Sequence, residues 1–276
     1  MLALRRKEKA MVKIKVYILA LLISIAATAQ DKANYRKLKA IALWPDKPIK
    51  QTLITDKLSG IKNPFILAYL PEKNIANGTS LLICPSGGYS HLAWTKNVER
   101  LAPLFTSKGI AVIGLAYRTI GNRIRIPDHP LKDLNQAIKL IKKNADKWLL
   151  DKEKIVGLGF SAGANLLLEH ACRVEGEKIK YLNMLCLWPR IHKAKDYKLK
   201  KKGLDVIMFS SKEDRAAPTA FSVDIAKSLN QSSSEAKLIT FPKGNHLAFD
   251  FEENGPKLDW TKDFLKWLKD KKLLKE

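Results

Sequence analysis

Cysteine is scarce in this chain of 276 residues, and its scarcity limits the chemistry available to the chain. Three cysteines are present, Cys84, Cys172 and Cys186, an odd number without metal-type spacing. They therefore predict neither a metal centre nor a disulfide framework. A single disulfide is compatible with the count, although Cys84 and Cys186 lie in apolar runs, where a thiol is most often a small buried hydrophobic group. No repeat of about 20–50 residues is visible, which argues against a solenoid.

The N-terminal apolar run is too short to cross a membrane. It extends from Val16 to Ile25, whereas a spanning helix needs about 20 apolar residues, and no cysteine follows it for lipid attachment. Basic residues precede the run and Ala27-x-Ala29 follows it, an order that predicts a cleaved secretory signal peptide over residues 1–30. We therefore expect a periplasmic or secreted protein without stable membrane insertion, whose residues 31–276 form a single domain.

Acidic residues are few relative to basic ones: 27 Asp and Glu stand against 50 Lys and Arg, a formal net charge of +23. A basic exported protein could be drawn to acidic polysaccharide or to the cell surface. A solvated lysine coat is the interpretation we favour, because the only dense cluster is Lys198 with Lys200, Lys201 and Lys202. Basic residues interleaved with aromatic ones are missing, so nucleic-acid binding is not expected.

Short β-type runs alternate with amphipathic helical segments along the rest of the chain. Such alternation predicts an α/β fold with a mostly parallel central sheet, flanked by helices on both faces. Leading antiparallel strands, from about Ile41 to Leu70, should extend one edge, and the irregular stretch 189–202 leaves little room for a cap. The predicted strands are Phe65–Leu70, Ser80–Cys84, Gly109–Tyr117, Lys154–Phe160, Asn183–Trp188, Asp205–Ser210 and Ala236–Phe241. The predicted helices are Asn97–Lys108, His129–Trp148, Ala162–Val174, Thr219–Leu229 and Pro256–Leu273.

One glycine-rich stretch, residues 155–168, fits two motifs. Gly157-x-Gly159-x-x-Ala162 resembles a dinucleotide-binding fingerprint, and Gly159-x-Ser161-x-Gly163 fits the nucleophile elbow of α/β hydrolases. The first motif belongs after the first strand of a sheet and needs an acidic residue at the end of the next strand. Here at least three strands come earlier, and the next one ends without a carboxylate. We therefore favour Ser161 as a nucleophile and expect no cofactor.

Five histidines compete for the role of general base. The chain order of an α/β hydrolase is Ser, then Asp or Glu, then His, with the acid and the base just after the carboxyl ends of strands. His246 fits, because it follows the last predicted strand and precedes the final helix. The remaining histidines precede the serine, lie in the helix after it, or come too early in this order: His91, His129, His170 and His192.

Asp214 is the predicted acid, because it lies just beyond the carboxyl end of the strand that starts at Asp205. Glu213 is its nearest rival, and a following proline, here Pro218, favours Asp214. The alternative is that Asp214 only caps the helix near Thr219.

The loop Pro85-Ser86-Gly87-Gly88-Tyr89 follows a strand, and its glycines can turn backbone N–H groups toward a developing oxyanion. The second donor would be the N–H of Ala162, directly behind Ser161. These groups predict attack of Ser161 on an ester carbonyl, with His246 as base and an acyl-enzyme as intermediate.

Several of these motifs together resemble the α/β-hydrolase-fold carbohydrate esterases, namely acetyl xylan esterase-like proteins often labelled xylanase or BD-FAE-like. The likeness extends from about Ala42 to the end of the chain. It implies that Ser161, Asp214 and His246 form a triad, with Gly87, Gly88 and Ala162 around the oxyanion. It also implies removal of acetyl, or aryl ester, groups from plant polysaccharide or its oligomers. The matching segments are Leu43-Trp-Pro-Asp46, Ile83-Cys-Pro-Ser-Gly-Gly-Tyr-Ser-His-Leu-Ala93, Ala116-Tyr-Arg118, Gly159-Phe-Ser-Ala-Gly163 and Pro242-Lys-Gly-Asn-His246.

The sequence departs from the family pattern at two places. Ser86 replaces a third glycine, which puts the oxyanion loop in question, and Ala164-Asn165 replaces a more usual Gly-His, which puts the acyl pocket in question. Aromatic faces suit sugars, and the aromatic residues near strand ends are Tyr89, Trp94 and Trp188. Each of them is more often a packing residue, although Tyr89 is retained as a candidate substrate contact.

Other functions remain open. On the same fold the chain could be a peptidase or a general or lipid esterase, although the large accessory domain or apolar lid of such enzymes is not indicated. It could also be a non-catalytic carbohydrate-binding relic. The polysaccharide, the acyl group and the oligomeric state are not determined by the sequence.

Overall fold

A computed structural model of the protein describes residues 35–46, 48–49, 56–119, 128–189, 197 and 203–274. By its contacts the chain divides into Met1–Asn34 and Tyr35–Glu276. The predicted signal peptide, the lysine cluster and most of stretch 189–202 lie outside the described residues. Within the described ranges, none of the helices has the length and apolar content needed to cross a bilayer.

Nine strands form the central sheet of the second unit, in the order β1-β4-β7-β5-β8-β9-β10-β11, with β2 paired to β4. The six neighbouring strands β7, β5, β8, β9, β10 and β11 pair in parallel. At one edge, β4 pairs antiparallel with β7, and β1 and β2 pair antiparallel with β4. The predicted α/β class, parallel sheet and antiparallel edge are confirmed. The strands of this sheet are β1 (Tyr35–Lys37), β2 (Ile41–Ala42), β4 (Phe65–Pro71), β5 (Ser80–Cys84), β7 (Ala111–Ala116), β8 (Ile155–Phe160), β9 (Tyr181–Leu185), β10 (Asp205–Ser211) and β11 (Glu235–Phe241).

Two short ribbons lie outside this sheet. One pairs β3 (Leu58–Ser59) with β6 (His91–Leu92), and the other pairs β12 (Phe251–Glu252) with β13 (Gly255–Pro256). The second ribbon corrects the predicted final helix, which begins at Thr261 rather than Pro256. Pro256 instead pairs with Phe251 in this ribbon, where an edge position tolerates its missing N–H.

Helices cover the sheet on both of its faces. The connections β5 to β7 and β7 to β8 run in opposite directions across the sheet, so right-handed crossovers place their helices on opposite faces. Phe105 of α1 contacts Phe264 of α6, whereas α2 packs against α4. The helices are α1 (Ala102–Thr106), α2 (Asp128–Lys143), α3 (Ala145–Trp148), α4 (Ala162–Arg173), α5 (Thr219–Gln231) and α6 (Thr261–Asp270).

Two predicted helices are interrupted for local reasons. The predicted helix 97–108 consists of a π-helical turn, Thr95–Glu99, followed by α1, because Pro103 cannot donate the backbone hydrogen bond that a continuous helix needs. The predicted helix 129–148 breaks at Asn144, whose side-chain amide donates to the Leu140 carbonyl at 2.8 Å. An asparagine that bonds its own backbone competes with helix propagation in this way.

The turn between β8 and α4 brings buried backbone segments into close contact. A Cβ on Gly163 would collide with the carbonyl oxygen of Cys84, and a Cβ on Gly159 would lie 2.6 Å from the Ala164 Cα. Neither glycine has a positive φ, so space rather than backbone conformation requires it. The prediction that these glycines bring strand and helix close together is confirmed.

We expect Gly163→Ala to lower the free energy of unfolding by about 3 kcal/mol, because backbone atoms on both sides of the contact would have to separate. Urea unfolding measures this loss. Gly60→Ala is the matched control: Gly60 has a φ of +61° but open space around it, so only a left-handed penalty of about 1 kcal/mol applies. Equal losses at the two positions would show that the close approach at Gly163 does not constrain the fold.

Candidate active site

Ser161, His246 and Asp214 form one hydrogen-bonded chain. His246 Nε2 lies 2.7 Å from Ser161 Oγ, and His246 Nδ1 lies 2.7 Å from Asp214 Oδ2. Because a carboxylate only accepts, the ring proton resides on Nδ1 and leaves Nε2 to accept the serine hydroxyl proton. The three residues predicted from chain order therefore lie together in the arrangement that activates a serine oxygen.

The backbone of Ser161 presents its side chain in an unusual way. Ser161 has φ 52° and ψ −111°, values that a non-glycine residue adopts only when its surroundings impose them. Its N–H donates to the Leu185 carbonyl at 2.9 Å, which ties the turn to the end of β9. The serine is thereby held between the end of β8 and the start of α4, as a nucleophile elbow requires.

The Asp214 carboxylate is buried and fixed from two sides. One oxygen accepts the N–H groups of Ala216 and Ala217, each at 2.9 Å, and the other binds His246. Asp214 thus shapes the turn before α5 and also orients the imidazole, so the capping alternative describes only half of its contacts. Its rival Glu213 accepts the Gly244 N–H at 2.9 Å instead, and this bond steadies the loop that leads to His246.

The predicted oxyanion loop lies beside Ser161, because Cys84 at the end of β5 pairs with Gly159 of β8. Gly87 and Gly88 have φ values of 130° and 60°, and a Cβ on Gly87 would collide with the His91 carbonyl. Ala162 is in the first turn of α4, where backbone N–H groups have no intrahelical acceptor. Gly87 and Gly88 line the same cleft as Ser161, and Ala162 directly follows the serine, so the backbone amides predicted as oxyanion donors lie near it.

Asn97 holds the oxyanion loop at Ser86, the first departure from the family pattern. The Ser86 N–H donates to Asn97 Oδ1 at 2.9 Å, so this amide is engaged within the protein, and the bond does not depend on the serine side chain. Asn97 Nδ2 in turn donates to Asp250 Oδ1 at 2.9 Å, in an environment where Asn97 is fully buried. One amide thus joins the oxyanion loop to the segment just after His246.

Asn97 and Asp250 were missed by the sequence analysis. A signal was present for the first: Asn97 lies four residues before Leu101, on the apolar stripe of the predicted helix, where a polar residue needs a partner. No comparable signal marks Asp250. Burial raises the pKa of the Asp250 carboxyl, whereas its bond to Asn97 and the charges of Lys96 and His246 oppose that rise.

A cleft of about 450 Å³ opens above Ser161 and His246. More polar than apolar side chains line it, although most of its exposed surface is apolar, and Trp188 and Leu247 are its large apolar side chains. Besides the serine and the histidine, its lining comprises Lys57, Ser86, Gly87, Gly88, Ser90, His91, Ala93, Lys96, Trp188, Ala216, Leu247 and Asp250.

Of the aromatic residues considered for sugar contact, Trp188 lines this cleft, whereas Tyr89 and Trp94 are fully buried. The ring of Tyr89, the candidate substrate contact, packs against Tyr117 and Trp188, and its hydroxyl donates to Asn165 Oδ1 at 3.0 Å, as the packing interpretation predicts. That bond also accounts for Asn165, the second departure from the family pattern. Its amide links the oxyanion loop to α4.

Cys84, Cys172 and Cys186 are all buried, and no disulfide joins them. Burial raises the pKa of the Cys84 and Cys186 thiols, which keeps both protonated and unreactive at neutral pH. Among the described residues, no group of three or more His, Cys, Asp or Glu side chains is arranged to hold a metal ion.

Two sequence comparisons bear on this site. The BD-FAE family profile matches residues 68–186, a segment that contains the oxyanion loop and Ser161. Over 104 residues, 37% of the chain, the protein is 34% identical to an endo-1,4-beta-xylanase B of Butyrivibrio fibrisolvens. Over 101 residues it is 28% identical to an acetylxylan esterase of Xylanibacter ruminicola. These matches span 16% and 20% of the respective relatives.

Solved structures match over most of the chain. An α/β hydrolase, MGS-M1, from a Medee basin deep-sea metagenome library matches with a TM-score of 0.63 and 21% identity, over 79% of this chain and 96% of its own. An acetyl ester-xyloside bifunctional hydrolase from Caldicellulosiruptor lactoaceticus matches with a TM-score of 0.63 and 19% identity, over 86% and 97%. The predicted resemblance is thereby confirmed: the chain has the α/β-hydrolase fold and carries a BD-FAE match over residues 68–186.

Proposed function

We propose that the protein is an exported serine esterase that removes acetyl or other short acyl groups from plant polysaccharides or their oligosaccharides. The observation that carries the proposal is the hydrogen-bonded chain from Ser161 through His246 to Asp214 at the floor of a cleft. We further propose that residues 31–276 act as one catalytic domain after a signal peptide has been removed from residues 1–30.

The reaction begins when Ser161 Oγ attacks the ester carbonyl carbon and His246 Nε2 takes the hydroxyl proton. Asp214 stabilises the imidazolium that forms, and its bonds to Ala216 and Ala217 keep the carboxylate in position. The negative charge on the carbonyl oxygen is stabilised by the backbone N–H groups of the oxyanion loop and of Ala162.

The tetrahedral intermediate then collapses. His246 gives its proton to the alcohol oxygen, the bond from the carbonyl carbon to that oxygen breaks, and the acyl group stays on Ser161. A water molecule attacks this acyl-enzyme with His246 again as the base. The free acid leaves and Ser161 regains its proton, which returns the enzyme to its starting state.

The substrate class is supported by both the cleft and the relatives. Lys57, Ser90 and His91 provide polar side chains near the serine, as a hydroxylated alcohol requires, and Trp188 and Leu247 provide apolar surface that suits an acyl group. One relative is named an acetylxylan esterase and another a xylanase, and a structural neighbour is named an acetyl ester-xyloside hydrolase. Acetyl esters of xylan or its oligomers are therefore the first substrates to test.

We expect Ser161→Ala to reduce hydrolysis of p-nitrophenyl acetate and release of acetate from acetylated xylan by at least about 10³-fold, because the nucleophile is lost. Ser107→Ala, which changes an exposed serine of the α1 C-terminus, should leave both rates at the wild-type level. Mass spectrometry after treatment with a fluorophosphonate should show a covalent adduct on Ser161 that His246→Ala prevents.

Equal rates for the wild type and Ser161→Ala would exclude a serine esterase. Tight binding of xylo-oligosaccharide without hydrolysis of either ester would instead identify a carbohydrate-binding relic. Hydrolysis of p-nitrophenyl acetate alone would leave a serine esterase but reject acetylated xylan as its substrate.

Asn97→Leu should lower kcat for p-nitrophenyl acetate by about 10- to 100-fold with little change in KM, because the oxyanion loop loses its anchor while the cleft remains. Asn230→Leu is a matched control. The side-chain amide of Asn230 also makes two hydrogen bonds, both to the Ala236 backbone, but at an exposed position away from the cleft. An unchanged kcat in Asn97→Leu would show that the loop keeps its geometry without this amide.

A further inference from the structure

The β3–β6 ribbon forms part of the cleft wall and has two different faces. Leu58 pairs with Leu92, and both side chains are buried in the core. Residues next to them in each strand must point the other way, since side chains alternate along a strand. Lys57, His91 and Ala93 accordingly line the cleft.

Within the part of the chain that the structure describes, the His91 side chain makes one hydrogen bond, and that bond indicates its tautomer. Ser90 Oγ lies 2.9 Å from the Gly87 carbonyl oxygen and 3.0 Å from His91 Nδ1. A carbonyl oxygen cannot donate, so the serine proton must lie between the two oxygens; otherwise their lone pairs would face each other at 2.9 Å. The Ser90 oxygen then accepts a hydrogen bond from a protonated His91 Nδ1, which leaves Nε2 of the neutral ring without a proton.

The remaining ring nitrogen is therefore an acceptor. Partial burial and the positive charge of Lys57 both lower the pKa of His91, which keeps the imidazole neutral at neutral pH. Among the described residues, no hydrogen-bond partner engages His91 Nε2, and the ring is only half-buried, so this nitrogen is open to a donor from the cleft.

We propose that His91 is a specificity-determining residue whose Nε2 accepts a hydrogen bond from a free hydroxyl of the alcohol part of the ester. The proposal rests on the proposed esterase function and extends it. The enzyme then prefers esters in which the acylated alcohol still carries free hydroxyl groups, as a partly acetylated sugar does, over esters of alcohols without a donor.

The chemistry of the ribbon explains this preference. An unprotonated nitrogen in a partly enclosed cleft loses its hydrogen bond to water when a substrate covers it, and only a donor on the substrate replaces that bond. A p-nitrophenyl ester has no donor, whereas each unacetylated hydroxyl of a xyloside has one. Such a site discriminates strongly against analogues that lack the hydroxyl. The ammonium of Lys57, on the same face of the ribbon, can donate to the sugar oxygens.

The decisive measurement compares two substrates. For each enzyme, kcat/KM is determined with a monoacetylated methyl β-xyloside and with p-nitrophenyl acetate. The value for the xyloside is then divided by the value for p-nitrophenyl acetate. We expect His91→Leu to lower this ratio by about 10- to 100-fold, because Leu fills the space without accepting a hydrogen bond. His91→Gln, whose amide oxygen still accepts, should keep the ratio within about threefold of the wild type. His129→Leu is the matched control, since His129 is exposed at the start of α2 and does not line the cleft.

A binding experiment separates this proposal from the proposed reaction. In the Ser161→Ala background the monoacetylated xyloside is titrated, and the Kd is measured by ligand-observed NMR. Adding His91→Leu should raise the Kd at least about tenfold. The ¹⁵N chemical shifts of labelled histidine in the wild type should show His91 with a protonated Nδ1 and an unprotonated Nε2.

Three results would overturn the role of His91: an unchanged substrate ratio in His91→Leu, an unchanged Kd in the Ser161→Ala background, or a proton on Nε2. An equal fall for both substrates would count against it as well, since the residue would then act on the oxyanion loop. Failure of the proposed function is a separate outcome, namely hydrolysis that does not depend on Ser161. The Kd and the ¹⁵N shifts test His91 in that case too.

Discussion

The backbone of Ser161 is the constraint on which the rest of the structure depends. A φ of 52° and a ψ of −111° place the hydroxyl above the sheet, and such a conformation persists only when packing on both sides leaves no alternative. That packing comes from Gly159, whose missing side chain lets the Ala164 backbone approach, and from Gly163, which lies against the Cys84 carbonyl. Strain at the serine is therefore stabilised by close backbone contacts in the core, far from solvent.

Parallel strand pairing places the constrained Ser161 beside the other residues of the site. Because β5, β8, β10 and β11 run in the same direction, the loops after their carboxyl ends meet at one edge of the sheet. Each loop contributes one component: the oxyanion glycines, Ser161, Asp214 and His246. Asn97 then ties the first of these loops to the segment after His246, so the loops after β5 and β11, which three strands of the sheet separate, share one buried amide.

Much of this arrangement could be predicted from the sequence, because chemistry restricts it. A nucleophile, an acid and a base must follow strands in a fixed chain order, and Ser161, Asp214 and His246 were the residues that satisfied it. Asn97 and Asp250 could not be paired in this way, since 153 positions separate them and only the folded chain brings them together. The same limit applies to Tyr89: its position near a strand end suggested exposure, whereas the packing of its neighbours buries it.

In the function that we propose, reaction chemistry and substrate selection come from different parts of the fold. The reacting groups are fixed by the central sheet, whereas His91 and Lys57 come from a two-stranded ribbon that pairs with none of its strands. The ribbon is anchored by Leu58 and Leu92 in the core, and the His91 backbone, through its N–H at 3.3 Å from the Gly87 carbonyl, closes the oxyanion loop. The His91 side chain also reaches this loop, because Ser90 Oγ bonds both the Gly87 carbonyl and His91 Nδ1. In our proposal His91 therefore supports the loop through Nδ1 and contacts the alcohol through Nε2, which couples the choice of alcohol to the reaction at Ser161.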